Sequence, residues 1–423
     1  MKRMMLSILF CFSLLLALPT NIDAKGVLLT PNGFGFGSKQ DEDEGVAALI
    51  KAGQLEHKTF YDSNHYPITY WIHVPKDDHG LPVKNVPIVL YLHGYSNGGS
   101  NTDTAIRHHN ALLFQLIKDQ DKKERQAIIL VPQTPYAINP EGEKDWFKDQ
   151  WVGIEPDQGE DKWTQWNFPS WSMDEIPRVS NLNAVKELVL ATQQQYQSDV
   201  NRTYVSGISM GAYATWDLLS RDEEHIFAAA VPICGVGDPS KAKNMKDTPI
   251  RMYHGGQDPQ VMKQASDLMY EALVDYGNVT YTVYEDEGHP SWNSAYSPVI
   301  DDDQNGKSNL EDMIDWMFNQ SLQGTLDHKL DVTPLQQVVK RAQQEKKEEY
   351  RFHRYQKLMK TCEQAQAFIE QPTTKEDMRT LIHKLRTQMS NKDNTKNIYV
   401  FMGIAFLILG GSFLYWKKLW QKK

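Results

Sequence analysis

Short apolar runs, many of them rich in β-branched residues, recur through the middle of the chain, at 68–74, 86–92, 127–131, 203–206, 228–233, 250–254 and 279–284. The run at 86–92 (VPIVLYL) has no polar interruption, which suits a strand buried on both faces. Helix-length stretches separate the runs, at 105–118, 182–197, 212–220 and 261–276. Strands alternating with helices predict an α/β fold, with a mainly parallel sheet and helices on both faces.

Residues 333–392 follow a different pattern. They are polar and rich in Lys, Glu and Gln, yet Met378, Leu381, Ile382, Leu385 and Met389 fall on one helical face. This predicts a helical hairpin: a long helix over 334–369, a turn near Pro372, and a shorter helix to about 390. Thr373 and Glu376 have the spacing of a capping box at the second helix. The stretch 343–349 has no apolar residue, so no heptad seam runs through it.

Both ends of the chain carry membrane-related patterns. Lys2 and Arg3 precede an apolar run at 6–18, and Ala24 offers a cleavage point, so 1–24 reads as a signal peptide. At 398–416 stand 19 residues without charge, the length of a single transmembrane helix. Tyr399, Tyr415 and Trp416 sit at its ends, where aromatic rings favour the interface. Lys417, Lys418, Lys422 and Lys423 make 417–423 a basic tail, which favours the cytoplasmic side. The expectation is an exported, membrane-anchored protein whose main domain is extracytoplasmic.

Composition adds two exclusions. Of the 423 residues, 40% are hydrophobic and 23% charged, which is globular rather than disordered. The net charge is −9, and no basic stripe stands out in the first 330 residues, so no nucleic-acid partner is expected. Cys234 lies in an apolar run and Cys362 in a distant polar helix, which reads as two buried thiols rather than a disulfide.

The chemistry centres on Gly207-Ile208-Ser209-Met210-Gly211, a G-x-S-x-G motif between a β-type run and a helical pattern. A strand turning sharply into a helix leaves little room for side chains beside the serine, hence the glycines. A serine hydroxyl needs a base to act as a nucleophile at neutral pH. The run at 250–254 ends in Gly255-Gly256-Gln257-Asp258, and the run at 279–284 ends in Glu285-Asp286-Glu287-Gly288-His289. Ser209, Asp258 and His289 thus fall at the ends of three strands, in the order nucleophile, acid, base. Asp238, one strand earlier, is the rival acid, and Glu285, Asp286 and Glu287 are placed to tune His289. An oxyanion needs backbone N–H donors. The residue after the nucleophile, Met210, supplies one, and Tyr95 in the small-residue loop after 86–92 supplies the other.

Several segments resemble secreted bacterial α/β-hydrolases, in the group of predicted peptidases and esterases near feruloyl esterase and polyhydroxybutyrate depolymerase. They are Leu92-His93-Gly94-Tyr95, the elbow through Asp217, Val231-Pro232-Ile233-Cys234-Gly235, His254-Gly255-Gly256-Gln257-Asp258, and Gly288-His289-Pro290-Ser291-Trp292. The resemblance spans about 60–320 and implies the same triad. It does not reach 333–423, and 137–180 is longer and more acidic than the pattern. That segment holds Trp146, Trp151, Trp163, Trp166 and Trp171, and it reads as a lid. Trp163, Trp166 and Trp292 are the candidate substrate-binding residues, suited to a sugar or a phenolic acid; packing of the lid is the plainer role for such rings.

Asp301, Asp303, Asn305 and Asp312 share part of a calcium-loop spacing. No incoming helix pattern precedes them, and Asp stands where a bidentate Glu is usual. They read as an acidic loop, with Ser308 and Glu311 capping a helix at 310–319, and no metal site is assigned.

The expected organisation is then 1–24 signal peptide, 25–50 Gly-rich and acidic leader, and 51–325 α/β-hydrolase catalytic domain with a lid insertion at 137–180. A helical hairpin stalk follows at 333–392, then the transmembrane helix at 398–416 and the tail at 417–423. The expected activity is hydrolysis of a carboxylic ester through an acyl-enzyme, with no cofactor. A serine peptidase on the same fold and a non-catalytic binding module at the membrane are the alternatives. The expected partners are a small-molecule or polysaccharide-linked ester, the membrane through the C-terminal helix, and a protein docking on the hairpin.

Overall fold

The computed structural model describes residues 39–97, 103–107, 111–134, 137–138, 144–145, 151 and 180–392. The chain divides into two compact units, Met1–Ala272 with Tyr281–Asp327, and Leu273–Thr280 with His328–Lys423.

Apolar runs of the first unit become an eight-stranded sheet. Its strands are β1 (Glu56–Tyr61), β2 (Pro67–His73), β3 (Ile88–Leu92), β4 (Ile128–Gln133), β5 (Thr203–Ile208), β6 (Ala229–Ile233), β7 (Ile250–Gly255) and β8 (Val279–Tyr284). Their spatial order is β1-β2-β4-β3-β5-β6-β7-β8. The neighbours from β4 through β3, β5 and β6 to β7 run parallel, while β1 and β2 are antiparallel to their neighbours. This is the α/β-hydrolase-like arrangement expected from the alternating pattern. Every residue of β3, β4, β5 and β6 is buried, as uninterrupted apolar runs require.

The connecting helices bring two refinements. In the stretch expected as one helix at 105–118, the described residues form α2 (Thr104–Arg107) and α3 (Ala111–Lys118). The expected leader at 25–50 contains α1 (Lys39–Lys51), whose Val46 and Leu49 are buried in the core. Helices α4 (Ser180–Tyr196), α5 (Met210–Ser220) and α6 (Lys263–Leu273) connect strands, and α7 (Trp292–Ala295) and α8 (Asn309–Phe318) follow β8. Helix α5 is buried along its whole length behind the centre of the sheet. Helix α8 starts on the expected capping box: the Ser308 hydroxyl accepts from Glu311 N–H, and the Glu311 carboxylate accepts from Ser308 N–H.

The second unit departs from the expected hairpin. Its described residues form three helices, α9 (Thr333–Gln343), α10 (Phe352–Glu370) and α11 (Lys375–Ser390). The helix expected over 334–369 breaks between Gln343 and Phe352, where Tyr350 turns inward and is only 6% exposed. Its hydroxyl donates to Glu345 and to the Met389 carbonyl, at 2.7 and 2.9 Å. Leu335, Val338 and Val339 of α9, Leu358 and Cys362 of α10, and Met378, Ile382 and Leu385 of α11 are all buried. Two helices cannot enclose that many apolar faces, and the break supplies the third. The cap of α11 is Thr374, one residue after the expected Thr373, and its side chain accepts from Asp377 N–H. Within the same unit, Arg379 donates to the Tyr276 carbonyl at 2.7 Å and Arg386 pairs with Asp275 at 2.6 Å.

Among the described residues, no helix is long and apolar enough to cross a membrane. The expected signal peptide (1–24), transmembrane helix (398–416) and basic tail (417–423) lie outside the described residues.

Candidate active site

Ser209 stands at the turn from β5 into α5, with φ 51° and ψ −121°. That left-handed, strained conformation presents the side chain at the sheet edge rather than in the strand ladder. The flanking glycines are there for space. A Cβ on Gly207 would lie 2.2 Å from the Gly211 carbonyl oxygen, and one on Gly211 would lie 2.0 Å from the Leu92 carbonyl oxygen. Any side chain at either position would push the helix off the strand or off the loop after β3.

Three strand-end loops converge on the serine. His289 Nε2 lies 2.8 Å from Ser209 Oγ, and His289 Nδ1 lies 2.7 Å from Asp258 Oδ2. The loops after β7 and β8 meet because both are nearly bare of side chains at the crossing. A Cβ on Gly255 would lie 2.0 Å from the Gly288 oxygen, and one on Gly256 would lie 2.6 Å from the Glu285 oxygen. Ser209 is half-buried and His289 is 7% exposed, so the imidazole is largely withdrawn from water while the serine is only partly covered.

Asp258 is held as an anion. Its Oδ1 accepts the backbone N–H groups of Gln260 and Val261, at 2.8 and 2.9 Å. Its Oδ2 faces two imidazoles, His289 at 2.7 Å and His254 at 3.2 Å. Burial by itself disfavours the carboxylate, but hydrogen bonds from His254 and His289 outweigh it and hold the carboxyl well below the usual carboxylate range. The rival acid Asp238 is spent elsewhere, accepting the Ser240 N–H as the cap of a 3₁₀ turn. Glu285 and Asp286 are exposed, and Glu287 accepts a hydrogen bond from Ser294.

The loop after β3 passes close to the nucleophile. A Cβ on Gly94 would stand 3.7 Å from the Ser209 Cβ, which puts Tyr95 one residue from that approach. Tyr95 opens a 3₁₀ turn (Tyr95–Asn97), and Met210 opens α5. Both are first-turn residues beside Ser209, at the helix position whose backbone N–H groups are of the kind an oxyanion needs. The loop is held from beneath by His93, which is buried. Its Nδ1 lies 2.7 Å from the Gly94 carbonyl oxygen, and its Nε2 accepts the Thr134 N–H at 3.2 Å. Trp151 Nε1 donates to the His93 carbonyl at 3.1 Å. The sequence signal for His93 is the His-Gly pair after a buried strand, and Trp151 belongs to the tryptophans expected to pack the lid.

Trp292 lies edge-on to His289 with ring centroids 5.1 Å apart, and it is buried. It packs against the imidazole. Trp151, in the expected lid, is fully buried and packs against His93. Trp163 and Trp166, the other candidate substrate-binding residues, lie outside the described residues.

Cys234, Asp258 and His289 bring one ligand-type atom each within 4.8 Å. Metal binding by cysteine needs the thiolate. The Cys234 thiol instead donates to the His289 carbonyl at 3.2 Å, and burial pushes it up to about 12. The trio is therefore a hydrogen-bonded packing cluster behind the base.

Residues 168–321 match the model of the dienelactone hydrolase family. This segment is similar to that hydrolase family's domain. It contains Ser209, Asp258 and His289, and the match is in keeping with the resemblance to α/β-hydrolases. No curated protein matches the chain. Among solved structures, a thermostable esterase is 27% identical with a TM-score of 0.48, covering 64% of each chain. The acylaminoacyl peptidase of Pyrococcus horikoshii is 16% identical with a TM-score of 0.41, covering 69% of this chain and 45% of that one. The feruloyl esterase module from Clostridium thermocellum is 13% identical with a TM-score of 0.37, covering 58% and 86%. The match therefore spans less than two thirds of the esterase and of the peptidase.

Proposed function

We propose that this hydrolase cleaves carboxylic esters through an acyl-enzyme, with Ser209 as nucleophile, His289 as general base and acid, and Asp258 as the group that orients His289. The observation that carries this reading is the continuous chain Ser209 Oγ, His289 Nε2, His289 Nδ1, Asp258 Oδ2, with links of 2.8 and 2.7 Å. His289 takes the proton from Ser209 as the hydroxyl attacks the ester carbonyl, and Asp258 stabilises the imidazolium that forms. The backbone N–H groups of Tyr95 and Met210 receive the oxyanion. His289 then gives the proton to the leaving alcohol. A water, deprotonated by the same imidazole, releases the acid and restores Ser209.

The apolar run at 398–416 with its trailing lysines, and the basic-then-apolar start, support export and a C-terminal membrane tether, with the catalytic domain outside.

Ser209→Ala should lose hydrolysis of short p-nitrophenyl esters by about three orders of magnitude or more, together with labelling by a fluorophosphonate probe. Full activity in that variant would sink the assignment. A panel of acyl esters against short peptides, run on the native chain, separates an esterase from a peptidase.

A further inference from the structure

His254 is the penultimate residue of β7, and its side chain is fully buried. Its Nε2 lies 3.2 Å from Asp258 Oδ2 and 3.0 Å from the Val261 carbonyl oxygen. Both partners are acceptors, so Nε2 carries the hydrogen and shares it between them. Its Nδ1 lies 2.7 Å from Ser266 Oγ, and a serine hydroxyl is able to donate to it. The longer contact of Ser266 Oγ, 3.4 Å to the Gly235 carbonyl, is the weaker alternative for that hydrogen. The partners thus place a hydrogen on Nε2, aimed at Asp258.

We infer that His254 is a positioning residue: its N–H bond to Oδ2 locks the Asp258 carboxylate and moderates the pull of that oxygen on His289. The inference rests on reading Ser209, His289 and Asp258 as a triad. Two consequences follow from four donors on one carboxylate. Rotation of the carboxylate would break the backbone bonds on Oδ1 and both imidazole bonds on Oδ2, so the orientation is over-determined. In addition, Oδ2 divides its electron density between two N–H donors, so it stabilises the His289 imidazolium less than it would alone. His289 is thereby kept a readier proton donor to the leaving group. Glu287, two positions before His289, is held by Ser294, and the other titratable groups near the pair include Cys234 and Tyr213. Both stay neutral through the working range, since burial pushes the thiol up to about 12 and the phenol well above its ordinary value.

The test uses the full chain and three variants. His254→Leu removes the donor, His254→Gln restores an N–H near the Nε2 position, and Ser266→Ala removes the hydroxyl beside Nδ1. His254→Leu should lower kcat by about ten- to a hundredfold, the size of one hydrogen bond to a charged group, with a smaller change in KM. The acidic limb of its kcat/KM profile should move to higher pH, because an unshared Oδ2 holds the His289 proton more tightly. His254→Gln should recover most of kcat and return the limb toward its native position. Ser266→Ala should show a weaker version of the same two changes. A packing role alone would lower stability without moving the limb and without rescue by Gln. If His254→Leu does not fold, Ser266→Ala and His254→Gln decide the matter. Native kcat and an unmoved limb in Ser266→Ala and in whichever His254 variants fold would overturn the inference. Activity surviving in Ser209→Ala would instead overturn the triad itself.

Discussion

At the scale of single residues, burial sets the charge state of two imidazoles of this chain. His93, under the loop that carries Tyr95, and His73, in β2, are both buried imidazoles, and burial lowers each to about 4. The unfolded chain takes up those protons near pH 6.5, so it binds more protons than the folded one between 6.5 and about 4. Stability is therefore complete above pH 6.5 and falls as the pH drops through that window. The loss approaches about 3 kcal/mol per imidazole at its lower end. Asp258 has the opposite shift, and its contribution persists until well below the usual carboxylate range. Thermal unfolding scanned from pH 7 to pH 4 should show Tm falling steadily below 6.5. A flat Tm across the window would show that the two imidazoles are not buried neutral. Ser209, Asp258 and His289 were readable one by one, since each closes a glycine-containing strand end. His254 was quoted within a motif and given no role. A histidine inside an apolar run has no sequence signal that separates a core residue from the partner of an acid four positions on.

Elements follow the pattern of the chain where burial is symmetrical and depart from it where it is not. Strands β3 to β6 are buried on both faces and announce themselves as apolar runs. Strand β1 (EHKTFY) is an edge strand with mostly exposed or half-exposed residues, so nothing apolar marks it. The break between α9 and α10 was equally silent. Residues 344–351 hold no glycine or proline, and only the inward turn of Tyr350 ends one helix and starts another. Tyr350→Phe should remove a donor from both Glu345 and the Met389 carbonyl, with a loss of about 1 kcal/mol in the helical unit. Hydrogen exchange of the amides in 344–351 and 386–391 should accelerate, while those of β3 to β6 stay unchanged. Unaltered exchange in the helical unit would mean that the hydroxyl does not hold the break.

For the whole molecule, the chain joins an α/β unit to a helical unit. The tether is open to direct test on the native protein. In membranes from cells making the full chain, alkaline carbonate should leave the protein in the pellet. A membrane-impermeant fluorophosphonate should label Ser209 on intact spheroplasts. Extraction by carbonate, or labelling only after lysis, would contradict the proposed tether and orientation respectively.

By itself the sequence determined the alternation of strand and helix, the nucleophile elbow and the order of the three triad residues. Those features are local: apolar periodicity, and glycines where a backbone must turn or be approached. Tertiary structure alone decided the rest. It brought Gly255 against Gly288 so that Asp258 reaches His289, and it aimed His254 at the same carboxylate. It also turned Asp238 into a cap and Trp292 into a wall behind the base, and it broke one expected helix in two. In each case the deciding contact joins backbone or side chains brought together by the fold, where hydrogen-bond geometry and close packing, not composition, choose the partner.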